Sequence, residues 1–117
     1  MRHVLALCAC LAAAPAMAAE PEIVDATLTR TDAAYRVEVT IAHPDTGWDH
    51  YADGWEVLDA GGTRLGYRLL SHPHVNEQPF TRSLSFDLPE GIREVFIRAH
   101  CSVDGWGKER FRVVIAP

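Results

Sequence analysis

The stretch Ala34-Tyr35-Arg36-Val37-Glu38-Val39-Thr40-Ile41-Ala42-His43 decides the fold class. Tyr35, Val37, Val39 and Ile41 alternate with Arg36, Glu38 and Thr40. That period of two puts one face of a β-strand in a core and the other in water. The pattern recurs in both directions. Upstream, Glu22 to Arg30 carries Val24, Ala26 and Leu28 as its apolar set. Downstream, Trp55 and Val57 begin a third strand, Asp59-Ala60-Gly61-Gly62 supplies a hairpin turn, and Leu65, Tyr67 and Leu69 alternate along a fourth. Leu84, Phe86 and Leu88 mark a fifth, and Pro89-Glu90-Gly91 is another tight turn. Val95, Ile97, Ala99 and Cys101 then mark a sixth, and Phe111, Val113 and Ile115 a seventh. No amphipathic helix interrupts them. About seven short strands within roughly 100 residues, with a Trp early in the third, predict an all-β fold: an immunoglobulin-like or fibronectin type III-like antiparallel sandwich. A small barrel is the alternative.

The first residues read differently. Arg2 and His3 form a short basic segment, Val4 to Ala14 is an unbroken apolar run, and Ala16-Met17-Ala18 has the small-x-small pattern of a signal-peptidase site. Residues 1–18 are therefore expected to be a cleavable signal peptide and residues 19–117 one sandwich domain, periplasmic or secreted. The apolar run is about half of what a bilayer span needs, so the chain is not expected to span a membrane. Lipidation at Cys8 or Cys10 is disfavoured, because both lie early in the run and Leu7 is a poor neighbour for a lipidated Cys.

Loss of that segment changes the chemistry. The chain has 11 Lys+Arg and 16 Asp+Glu; without Arg2 the bases fall to 10 and the formal charge to −6. An acidic balance argues against a nucleic-acid binder. Both methionines leave with the segment, and of three cysteines only Cys101 stays, so no intramolecular disulfide and no thioether ligand are expected. The parity of Cys101 with Val95, Ile97 and Ala99 reads as a buried, inert thiol.

In a seven-stranded sandwich lettered A, B, C, C′, E, F and G, the B–C, C′–E and F–G loops share one pole. Here those loops are Pro44 to Asp53, Ser71 to Pro79 and Val103 to Gly107. They gather His50, His72 and His74, with His43 at their edge, together with Trp48 and Trp106. Loops held by a rigid sandwich are a usual place for recognition. The segments Gly47-Trp48-Asp49-His50-Tyr51-Ala52-Asp53 and His72-Pro73-His74-Val75-Asn76-Glu77-Gln78-Pro79-Phe80-Thr81-Arg82-Ser83 resemble a family of short exported bacterial proteins with no assigned activity. The resemblance implies no substrate, cofactor or mechanism, and His100-Cys101 departs from its pattern.

Two functional readings follow. The first is a non-enzymatic binding or accessory module whose pole recognises an envelope or extracellular protein or a small ligand through Trp48, Asp49, His50, Asp53, His72, His74, Glu77, Arg82 and Trp106. The second is a divalent transition-metal site, zinc or copper, built from two or more of His43, His50, His72 and His74 with help from Asp49 or Asp53. Packing offers a plainer account of many of these residues. Trp55 reads as the central core aromatic, and Arg82, sharing parity with Phe80, Leu84 and Phe86, reads as a buried guanidinium bridged by Asp49, Asp53 or Glu77. Arg64, Arg68, Arg98, Lys108, Arg110 and Arg112 are expected on an outer sheet face, paired with Glu56, Glu94 and Glu109 or docking an anionic partner. No nucleophile motif or glycine-rich phosphate loop is present, so an enzyme is not expected.

Overall fold

The computed structural model describes residues 20–32 and 34–115. The expected signal segment, residues 1–18, lies outside them. Eight strands follow in order: β1 (Glu22–Arg30), β2 (Tyr35–Ala42), β3 (Ala52–Leu58), β4 (Arg64–Leu69), β5 (Phe80–Phe86), β6 (Glu94–Cys101), β7 (Gly105–Trp106) and β8 (Phe111–Val114). They form two antiparallel sheets. One has the order β1-β2-β5; the other runs β4-β3-β6, with β7 and β8 both pairing with β6. This is the A-B-E and C′-C-F-G partition of an immunoglobulin-like sandwich, with β7 an added two-residue strand inside the F–G connection.

The alternation in β2 does what its pattern predicts: Val37, Val39 and Ile41 are buried while Arg36 and Glu38 are exposed. Trp55 is fully buried between the sheets, in one cluster with Val37, Val57, Phe80, Ile97 and Ala99. Two strands depart from the simple reading. In β1 a bulge between Ile23 and Asp25 shifts the register, so Ile23 is buried and Val24 is left 47% exposed. In β4 the register pairs Trp55 with Arg68 and Glu56 with Tyr67. Tyr67 and Leu69 therefore take the outer face, and Arg68 turns to the inner side of the sandwich edge instead of the outer face expected for it.

That outer face is neutralised locally. Glu56 is buried under it and accepts hydrogen bonds from Arg64 Nε at 2.8 Å and from Arg98 Nε at 3.0 Å and Nη2 at 2.6 Å. Arg112 Nε meets Glu94 at 2.5 Å. Trp106 covers this group, with the Arg98 guanidinium 4.6 Å from the centroid of its ring system.

Candidate metal centre

The three long loops meet at one pole through named hydrogen bonds. Ser102 N–H donates to the Tyr51 carbonyl at 2.9 Å, and Tyr51 N–H to Ser102 Oγ at 3.1 Å, stapling the turn after β6 to the loop after β2. Gln78 bridges the third loop: its Oε1 accepts from His43 N–H and its Nε2 donates to the His74 carbonyl, both at 2.9 Å. The loop after β2 folds back on itself. His50 N–H donates to the Gly47 carbonyl at 3.2 Å and Thr46 N–H to the His50 carbonyl at 3.0 Å, closing a tight turn with Trp48 and Asp49 at its tip. Gly47 has φ of 144°, a backbone conformation that glycine adopts without a side-chain penalty. The turn returns His50 to His43, and their ring centroids lie 5.0 Å apart, edge to face.

Cys101 completes the group. One donor atom from each of His43, His50 and Cys101 lies within 4.8 Å of the other two. The His43 and Cys101 side chains are buried, and that of His50 is 27% exposed. Asp45 orients the His43 ring. The fully buried Asp45 carboxylate accepts from His43 Nδ1 at 2.6 Å and from Ala52 N–H at 3.0 Å on one oxygen, and from His74 N–H at 2.8 Å on the other. A carboxylate in that role only accepts, so Nδ1 carries a hydrogen, and in the neutral imidazole Nε2 presents its lone pair. His43 Nε2 is buried with no hydrogen-bond partner, as is His50 Nε2. A carboxylate holding one ring nitrogen while the other faces a cluster of donors is the outer-shell arrangement of histidine metal ligands. Burial raises the pKa of the Cys101 thiol, so in the metal-free protein it keeps its proton and a metal must displace it.

The remaining expected site residues fall elsewhere. His72 and His74 are neighbours, with centroids 4.5 Å apart, but among the described residues no third donor joins them in a cluster. His74 instead stacks on Phe80 at 3.8 Å, and its Nε2 accepts from Arg82 Nη2 at 2.9 Å. Arg82 does turn toward the sandwich edge, but its closest side-chain partner is this imidazole; the Glu77 carboxylate stands 3.5 Å away and exposed. His72 Nδ1 reaches only the Pro73 carbonyl, at 3.1 Å. Asp49 is exposed at the turn tip. Asp53 meets His100 Nδ1 at 2.5 Å, and Trp106 packs edge-on against the same His100 at 4.8 Å. Trp48 is 68% exposed beside Tyr51. The carboxylates that approach the His43–His50–Cys101 group are Asp45 and Asp104, which the sequence pattern does not single out. A shallow concavity at the opposite pole, lined by Asp59, Gly61, Gly91 and Arg93 among others, brings together no comparable set of donors.

The chain is 43% identical over 89 residues to a "Putative lipoprotein" of Halomicrobium mukohataei. The match takes in 75% of this chain and 44% of the relative, so the chain spans less than half of that protein's length. No family profile matches the chain. No solved structure matches it either.

Proposed function

We propose that this chain is an exported β-sandwich domain that binds a divalent transition metal, zinc(II) or copper(II), through His43, His50 and Cys101. One observation carries the reading: a donor atom from each of His43, His50 and Cys101 lies within 4.8 Å of the other two, in a group where both imidazoles have a buried Nε2 without a hydrogen-bond partner and Asp45 holds Nδ1 of His43. A buried polar nitrogen left unpaired is costly, by about 1–3 kcal/mol, and an ion shared among the three groups removes that penalty. Imidazole and thiolate are suitable donors for both ions. Export is supported by the residues 1–18 pattern and by the name of the relative. The exposed Trp48, beside the metal-binding loop, gives the same pole a surface for an envelope protein or small ligand.

Calorimetric titration of the tag-free, chelator-stripped, reduced domain with zinc at about pH 7.5, above the ordinary imidazole range, tests the reading. It predicts one ion per chain with Kd below about 10 μM, and a loss of at least about 100-fold in His43→Ala and in Cys101→Ser. Absence of binding, or binding that both variants retain, overturns it.

A further inference from the structure

A tetrahedral ion held by these three donors takes a fourth ligand, and the Asp104 carboxylate stands beside two of the three. Its Oδ2 lies 3.4 Å from His50 Nε2 and 3.5 Å from Cys101 Sγ. Zinc bonds of about 2.0–2.1 Å to nitrogen, 2.0–2.2 Å to oxygen and 2.3 Å to sulfur give tetrahedral edges of roughly 3.3–3.7 Å between ligand atoms. Both separations match such edges, and the His43, His50 and Cys101 donors, within 4.8 Å of one another, would draw in around the ion. In the metal-free protein the Cys101 thiol donates to Asp104 Oδ2, a proton that an ion would replace, while His50 Nε2 has no hydrogen-bond partner despite the carboxylate beside it. The backbone supplies the placement. Cys101 ends β6, Gly105 pairs with it at the start of β7, and Gly105 takes φ of 79°, which lets the three-residue turn between them bring Asp104 back over Cys101.

We propose that Asp104 is the fourth protein ligand, closing a tetrahedral zinc(II) centre of two histidines, one cysteine and one aspartate. The inference rests on the metal-binding reading above and states what kind of centre it is. Sites that activate water keep one position open, whereas a site with four protein ligands holds its ion as a structural tie. Here the tie joins the loop after β2, which carries His43 and His50, to the hairpin of β6 and β7, which carries Cys101 and Asp104. The His50 and Asp104 side chains are 27% and 24% exposed, while those of His43 and Cys101 are buried, so the ion enters from the His50–Asp104 side.

Cobalt(II) in place of zinc reports both levels. The wild-type domain should show a near-ultraviolet thiolate-to-cobalt band from Cys101 together with intense visible bands of four-coordinate cobalt, and added azide should leave both unchanged. Asp104→Ala should keep the thiolate band, show visible bands that shift on titration with azide, and bind zinc at least about tenfold more weakly in competition with a chromophoric chelator. Asp104→Asn, which keeps the shape and removes the charge, should weaken zinc in the same direction; the thermal midpoint of each metal-free variant verifies that it is folded. A wild-type spectrum that responds to azide as Asp104→Ala does, or folded Asp104 variants with wild-type affinity, overturns the fourth ligand while leaving the three-donor site standing. Absence of the thiolate band in wild type overturns both.

Discussion

Replacing Asp45 with Asn should weaken the fold and the metal site together, because one carboxylate holds three donors from three segments. Its two oxygens accept from His43 Nδ1, Ala52 N–H and His74 N–H, all at 3.0 Å or less and all buried. An amide has one accepting oxygen. If that oxygen keeps His43 and Ala52, the new NH2 group confronts His74 N–H, donor against donor; in the other orientation two donors are stranded. Losing a charge-assisted hydrogen bond costs about 1.5–3 kcal/mol and stranding a buried donor about 1–3 kcal/mol, so a destabilisation of about 2–4 kcal/mol is expected. For a domain of this size each kcal/mol lowers the midpoint by roughly 4–8 °C, which puts the metal-free variant roughly 8–32 °C below wild type. The same change releases the His43 tautomer, and outer-shell losses of this kind weaken metal binding by about 10–100-fold. Circular dichroism melts of the metal-free proteins, followed by zinc competition at a temperature where both are folded, read the two effects. A midpoint within about 3 °C of wild type with unchanged zinc affinity would show that Asp45 holds neither the loops nor the His43 ring.

Three further outcomes follow from the same geometry. Burial, then Arg82 and His72, hold the His74 imidazole below its ordinary pKa; the unfolded chain therefore binds a proton that the folded domain refuses, and the stability present above about pH 6.5 is lost as pH falls toward the folded-state value. The thermal midpoint of the metal-free domain should decline over that acid range and decline less in His74→Gln; an equal decline in both would refute the assignment. Glu56→Gln removes the charge that two guanidiniums share, but Arg64 is 50% and Arg98 25% exposed and both can rehydrate. A urea denaturation loss of about 1–3 kcal/mol is expected, below the range for a fully buried pair, and a change under about 0.5 kcal/mol would contradict it. His72→Ala should leave zinc affinity within about twofold, since that ring bonds only its neighbouring carbonyl; a tenfold loss would move the site to the other histidine pair.

Most of the fold was legible because strand parity is a local property. Val37, Val39 and Ile41 announce their face without reference to any partner, and the strand count then places the loops at one pole. Parity failed where the ladder itself is irregular: the bulge in β1 exchanges Val24 for Ile23, and the β4 register, set by Trp55 and Glu56 across the ladder, turns Tyr67 outward. The site was legible only in part. His43 and His50 flank one loop and were visible as candidates, whereas Cys101 showed only its burial, since its partners lie in a loop distant in sequence. Asp45 and Asp104 carry no spacing signal of their own. Their roles come from turns at Gly47 and Gly105 that curl each loop back on itself, and from the Tyr51–Ser102 hydrogen bonds that hold the two loops together.

Diffraction on both sides of an absorption edge locates a bound ion by element. Crystals of the tag-free domain grown with one equivalent of zinc, measured on both sides of the zinc absorption edge, should give one anomalous peak among His43 Nε2, His50 Nε2 and Cys101 Sγ. That peak should stand about 2.0–2.1 Å from the nitrogens and about 2.3 Å from the sulfur. A peak at His72 and His74 instead, or a structure grown with zinc that shows no anomalous density between His43, His50 and Cys101, would contradict that placement.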